Sequence, residues 1–339
     1  MNVLARITLA KSLLLILAAI GLISILAMKQ SPDSLVVYCG RGEELIRPLF
    51  QRFEEETGIA VKVRYGGTAE LAATILEEGR NSPADVFFAQ DAGALGALKK
   101  AGRLIRLPGD VLAAVPARYR SPDGAWVGVS GRARVVVYNT NKLTEADLPD
   151  DLFGFVDPAW RGRLGWAPEN GSFQSFVTAL RIREGDERTL AWLKGIQANA
   201  PRVYGKNSAL VAAVAAGEVD AGFSNHYYLY TARRTQPNLA AANFYFRRES
   251  AGNLVNVAGV GVLQSSRRAE SALRLVRFLL SESAQAYFAE HTREYPLVES
   301  ASGGSDLTPL SDVAIPDLDL NRLDDLEGTL RLLHEAGVL

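Results

Sequence analysis

Between Leu35 and Ala101, short apolar runs alternate three times with helical repeats. This alternation restricts the chain to an α/β architecture more strongly than any other feature it has. Leu35-Val36-Val37-Tyr38 is an apolar run closed by Gly40, which reads as a buried strand. Residues 43–57 then put Leu45, Ile46, Leu49 and Phe53 on one helical face, with Glu54, Glu55 and Glu56 outside it, and Gly58 ends the helix. Residues 59–63 read as a second strand. Thr68 caps a helix predicted over 69–79, residues 85–88 form a third strand, and 91–101 another helix. The order β-α-β-α-β-α implies a mostly parallel sheet with helices on both faces.

A second α/β block follows. Arg134-Val135-Val136-Val137-Tyr138 predicts a strand, and helices are expected over 172–184, 187–198 and 207–216. Residues 220–223 read as a short strand ahead of Asn225, and 257–263 as another. Helices at 267–280 and 282–290 follow, and an amphipathic helix at about 323–336 closes the chain. No Pro/Gly/Ser-rich linker separates the blocks, so two lobes joined by extended crossovers fit better than beads on a string. The expected division is residues 34–132 plus 258–310 in an N-terminal lobe and 133–257 plus 311–339 in a C-terminal lobe, with the ligand cleft between them.

Composition narrows the function. The 339 residues are 48% hydrophobic and 22% charged, enough apolar matter for large cores, so the chain is not disordered. A net charge of -1 gives no sign of nucleic-acid binding. The single cysteine, Cys39, excludes an intramolecular disulfide and reads as a small half-buried residue. Three histidines make a polyhistidine metal site unlike this chain, and two methionines do the same for a thioether copper site. At the N-terminus, Arg6 and Lys11 precede an uncharged apolar run from Ser12 to Met28, with Lys29 after it. Residues 1–30 therefore read as an export segment, either a cleaved signal peptide or a retained membrane anchor.

Open α/β sheets bind ligands beyond the carboxyl ends of their strands. Tyr227 and Tyr228 stand in such a place, directly after the strand ending near Asn225. A phenolate is a hard anionic donor suited to trivalent iron. The other reading of the pair is aromatic packing at a lobe edge. His226 beside them points away from Tyr227 if its backbone is extended. Ser130-Gly131-Arg132-Ala133-Arg134 leads into a strand, where arginine can hold an anion in fixed geometry. Asn170-Gly171-Ser172 and Lys206-Asn207-Ser208 each open a helix, whose free N–H groups attract anions. Singly, each could be an ordinary cap or ion pair; beside paired phenols they suggest an anion-assisted metal site.

These stretches, with Leu35 to Gly40, Ser82 to Phe87 and Glu294-Tyr295-Pro296-Leu297, resemble the ferric-iron-binding periplasmic proteins of ABC transporters, which have the two-lobed class II solute-binding fold. The resemblance covers nearly all of residues 35–339. It implies a hinged α/β protein, each lobe a mostly parallel sheet flanked by helices. Ferric iron in its cleft would be held by Tyr227 and Tyr228. A synergistic anion, carbonate or phosphate, would sit at Asn170, Gly171, Ser172, Asn207 and Asn225, with Arg132 and Ser130 further anion-side candidates. It also implies a monomer, in the periplasm or on the outer face of the cytoplasmic membrane, that delivers iron to an inner-membrane permease.

The chain departs from the family in its first-lobe ligands. Gly42 stands where some members have histidine, Gln90 where some have glutamate, and Phe173 where others have a further tyrosine. Glu43, Asp91 and Gln90 are the candidate replacements; the alternative is that the two carboxylates are solvated and an anion or water completes the shell. Two other functions are weighed against iron binding. One is capture of an oxyanion (phosphonate, sulfate or an organic carboxylate) on the same fold. The other is catalysis, for which the chain lacks a Gly-x-Ser-x-Gly elbow, a phosphate-loop motif and a His-Glu-x-x-His zinc motif.

Overall fold

The computed structural model describes residues 34–298 and 306–339. The export segment expected at residues 1–30 lies outside the described residues.

Three parallel strands form one flank: β1 (Leu35–Cys39), β2 (Val61–Tyr65) and β3 (Val86–Ala89), with β1 in the middle. Helix α1 (Glu43–Thr57) buries Ile46, Leu49, Phe50 and Phe53 and stops at Gly58, which takes the left-handed conformation glycine allows (φ +71°). Leu45, expected on the inner face, is 40% exposed. Strand β2 lies two residues later than the apolar run suggested. After it come α2 (Thr68–Glu78), α3 (Ala92–Lys100) and the short α4 (Gly109–Ala113), with α3 capped by the Asp91 carboxylate accepting from the Ala94 N–H at 3.2 Å.

A long strand, β4 (Val127–Asn139), is buried along its whole length and joins both flanks. Its first half, Val127 to Ala133, pairs antiparallel with β9 (Val255–Val262), and β9 in turn pairs with β3. Its second half, Arg134 to Tyr138, pairs antiparallel with β7 (Ala221–Asn225). Two shorter strands also pair with β4: β8 (Ala241–Phe244) beside its second half and β10 (Tyr295–Pro296) beside Ser130 and Gly131. β7, β5 (Leu164–Trp166) and β6 (Arg202–Val203) make the second parallel set. The result is an α/β sheet of ten strands in the order β2-β1-β3-β9-β4-β7-β5-β6, with β8 and β10 off the path. The parallel sets lie at the two flanks, and the strands that cross between them run antiparallel.

Each flank has its own core. Val37, Phe53, Phe87, Phe88 and Val260 pack in the first, and Phe155, Trp166, Phe176, Trp192 and Phe223 in the second. The second is strongly aromatic, with Phe176 on Trp192 and Trp192 on Phe223 edge-on at 5.6 and 5.4 Å. It is covered by α5 (Gly171–Glu184) and α6 (Asp186–Ala198).

The C-terminal segment divides between the flanks. Residues Leu320–Asp324 pack on α3, where Gly93 and Gly96 let the backbone of Leu323 and Asn321 come close. The last helix, Leu326–Glu335, instead packs on α5, with Thr178 and Thr329 sharing a 2.7 Å hydrogen bond. Residues 311–339, expected together with the second block, thus touch both flanks. Leu310, Ile315, Leu318, Leu320 and Leu323 join the first core because their apolar side chains fill its surface beside α3.

Candidate functional site

The loops at the carboxyl ends of β1, β3 and β7 and the first turns of α2 and α5 converge on a cleft of about 650 Å³. Gly66, Gly67, Thr68, Gln90 and Asp91 line it from the first flank; Gly171, Ser172, Gln174 and Asn225 line it from the second. Arg132 and Arg134, on β4, lie between.

The polar groups on the second side form one connected set. Asn170 caps α5, its Oδ1 accepting from the Ser172 N–H at 3.0 Å and from the Ser172 hydroxyl at 2.6 Å. The Asn207 side chain, at the start of a helix spanning Asn207–Ala216, donates to Ser172 Oγ at 3.1 Å and to Asn170 Oδ1 at 3.3 Å. Arg134 donates through Nη1 to Asn225 Oδ1 at 3.1 Å and to Ser172 Oγ at 3.5 Å. Its Nη2 has no hydrogen-bond partner among the described residues. Arg134 is 3% exposed and in no described ion pair, and burial pulls its pKa down to about 9. A buried guanidinium with spare donors and no carboxylate is a place for an anion.

Tyr227 and Tyr228 open helix Tyr227–Arg233, so helical rather than extended backbone presents them. Their rings stack with centroids 4.2 Å apart, and both are half-buried. Neither lines the 650 Å³ cleft; both phenols lie within electrostatic reach of Arg134, which does. Burial and then the adjacent Tyr228 push the Tyr227 phenol far above its usual value, with Arg132 opposing. As a bare side chain Tyr227 therefore stays protonated, and a cation bound there would have to displace its proton.

Beneath the site lies a second buried cluster. Arg41, just after β1, pairs with Glu294, just before β10. Glu294 also accepts from the Ser130 hydroxyl at 2.5 Å. Burial alone would raise the Glu294 carboxyl, but Arg41, then Arg132 and Ser130, outweigh it and hold the group below its usual range. Arg132 donates to the Gln90 carbonyl and so ties β4 to the end of β3. Among the described residues no group of three or more His, Cys, Asp and Glu side chains could hold a metal.

Residues 49–313 match the family of bacterial extracellular solute-binding proteins. The chain belongs to that family. This solute-binding protein is 33% identical over 328 residues to the Fe(3+)-binding periplasmic protein of Serratia marcescens, an alignment covering 96% of each chain. Iron-bound HitA from Pseudomonas aeruginosa superposes with a TM-score of 0.85 at 35% identity, over 90% of this chain and 100% of that one. Trichodesmium IdiA (FutA), solved with iron and citrate ligands, gives 0.81 at 30% identity, over 90% and 100%.

Several sequence expectations for this solute-binding protein change in detail. Glu43 is not in the cleft wall: it sits on the first turn of α1, exposed, paired with Arg47 one turn on. Asp91 and Gln90 do reach the wall, but Asp91 is occupied in capping α3. Ser130 is fully buried against Glu294 and apart from the Asn170–Ser172–Asn207 set. His226 is buried too: Nδ1 accepts from the Ala133 N–H at 3.1 Å, and the ring stacks on Tyr295 at 4.5 Å. Its backbone is helical (φ −55°, ψ −41°), so packing and not strand alternation keeps it from the cleft. Cys39 is fully buried rather than half-buried, and burial pushes its thiol up to about 12. Phe173 packs edge-on against Trp166 in the second core. Arg41 and Glu294 carry no site reading in the sequence, and Arg134 enters it only within the Ser130–Arg134 stretch. A signal existed for Arg134, an arginine inside an apolar strand, because a central strand rarely buries a charge without a task for it.

Proposed function

We propose that this protein captures ferric iron outside the cytoplasmic membrane, holds it through the phenolates of Tyr227 and Tyr228 with a synergistic anion, and hands it to an ABC permease. One observation carries the reading: two adjacent stacked phenols sit within electrostatic reach of a buried arginine that has a spare donor and no carboxylate partner. The phenolates supply hard anionic donors. Arg134, Ser172, Asn170, Asn207 and Asn225 hold the anion, carbonate or phosphate, that fills the remaining positions. Arg132 braces the wall from the Gln90 side. The names of the relatives support the same substrate.

Closure is read as hinge bending of two lobes. The change of partner along β4 at Ala133/Arg134 supports a boundary there, and the packing of residues 310–324 supports assigning them to the first lobe. The protein acts as a monomeric carrier, with residues 1–30 serving export or anchorage, and it performs no catalysis.

A second reading, capture of an oxyanion alone, draws on the cleft wall, which includes Arg132 and Arg134 but neither tyrosine ring. One substitution separates the two. Ferric iron on phenolate gives a visible charge-transfer colour, so the wild type turns orange to purple with ferric citrate. Tyr227→Phe should lose the colour and most of its iron affinity while anion binding survives. Undiminished colour and affinity in Tyr227→Phe would contradict the iron reading.

A further inference from the structure

We infer that the cleft carries an apolar latch apart from its polar centre: the outer face of α2, ending in Leu76, closes on Leu326 of the last helix when the two lobes come together. The contact is between the walls themselves. It therefore rests on the hinge closure read above and not on which ligand brings closure about.

α2 has two apolar stripes where a surface helix needs one. Leu71, Ala72 and Ile75 are buried in the first core. Ala69, Ala73 and Leu76, spaced i, i+4, i+7, form a second face that is exposed and lines the cleft. Leu76 stands eight residues beyond Thr68, about 12 Å along the helix axis from the polar first turn.

Leu326 answers this face from the other wall. It opens the helix Leu326–Glu335, which packs on α5, and it lines the same cleft. Leu76 and Leu326 are each 37% exposed. Among the described residues five large apolar side chains are exposed to this degree or more, and these two share one cleft from opposite sides. Of the lining groups nearest to Leu326 in the second wall, Gln174, Ser175 and Thr178 are uncharged; Asp324, just before it, is the carboxylate. Isolated apolar side chains on a surface need no explanation, but an apolar stripe facing an apolar side chain across a hinged cleft has a partner within the chain.

Burying both leucines on closure favours the closed form through the hydrophobic effect, in addition to whatever the ligand contributes. Two partly exposed side chains give a modest bias, so the empty protein still opens. The latch thus lowers the differential affinity that the polar centre must supply.

The test uses the full chain. Leu76→Ala and Leu326→Ala should each change the melting temperature of the empty protein little and weaken binding of ferric iron with carbonate about three- to tenfold. The double variant should lose less than the product of the two, because the second substitution removes a side chain whose partner has already gone. A second arm does not depend on affinity. A chain carrying both Leu76→Cys and Leu326→Cys is treated with dibromobimane, which fluoresces once both its arms have reacted with thiols; native Cys39 is fully buried. Cross-linking should run several-fold faster with ligand than without. Fully independent losses, a loss seen with ferric citrate but not with carbonate, or cross-linking that ignores ligand would each overturn the latch. A wild type that binds no iron with any anion removes the ferric reading alone, and the same comparisons are then made with phosphate as the ligand.

Discussion

Arg134 lies in the middle of a central strand, with neutral partners in Asn225 and Ser172 and the ring of Phe176 5.0 Å from its guanidinium. Burial lowers its pKa, so the folded protein holds this charge at a cost at neutral pH, relieved only as pH rises past about 9. Arg134→Met should therefore leave the melting temperature of the empty protein unchanged or raise stability by up to about 1–3 kcal/mol, by the logic that removes buried charge. The same variant should lose the stabilisation that added phosphate gives the wild type; thermal unfolding with and without phosphate reads both effects. His226 makes a prediction of the same pH sense in a lower window. Burial lowers its pKa to about 4 against an ordinary value near 6.5, so the unfolded chain takes up the proton first. Stability is full above about pH 6.5 and falls as pH drops to about 4, by about 3 kcal/mol at 1.36 kcal/mol per unit. Urea midpoints measured across that range should fall steeply in the wild type and more gently in His226→Gln.

Helix α3 and residues 320–324 are a pair of elements sensitive to a single atom. A Cβ at Gly93 would lie 2.6 Å from the Leu323 carbonyl oxygen, and one at Gly96 2.9 Å from that of Asn321. Neither obstacle is a side chain that can swing aside. Gly93→Ala should cost about 1–3 kcal/mol and alter Trp126 fluorescence, because the Trp126 indole donates to Asn321 at 2.9 Å. Such a close approach is invisible in a sequence, where Gly93 and Gly96 look like poor residues in a short helix. α1 and α5 were legible because their apolar spacing and the glycines that end them agree. Only the Val-rich second half of β4 read as strand; Gly128, Ser130, Gly131 and Arg132 disguise the first half, which the neighbouring strands hold in place from both sides. β5, β6, β8 and β10 have two to four residues each, too few to show a period. At the site, the helix openings at Asn170 and Asn207 were readable as caps and do converge. The Arg41–Glu294 pair, 253 residues apart in sequence, has no local signature.

The chain as a whole is two α/β units sharing one long strand, with the polar groups of both units turned toward a common cleft. That arrangement lets a ligand touching both walls favour a closed form, whereas one touching a single wall gains nothing from closure. The near-neutral total charge says little about the ligand, because it sums over the whole chain and hides the buried arginines of the cleft. What distinguishes this protein is therefore local: paired phenols beside an uncompensated cation. Anomalous diffraction at the iron edge, from crystals of the protein loaded with ferric citrate, tests this most directly. The account predicts one strong peak within bonding distance of both the Tyr227 and Tyr228 hydroxyl oxygens. A peak held by other side chains, with those two oxygens turned away from it, would contradict it.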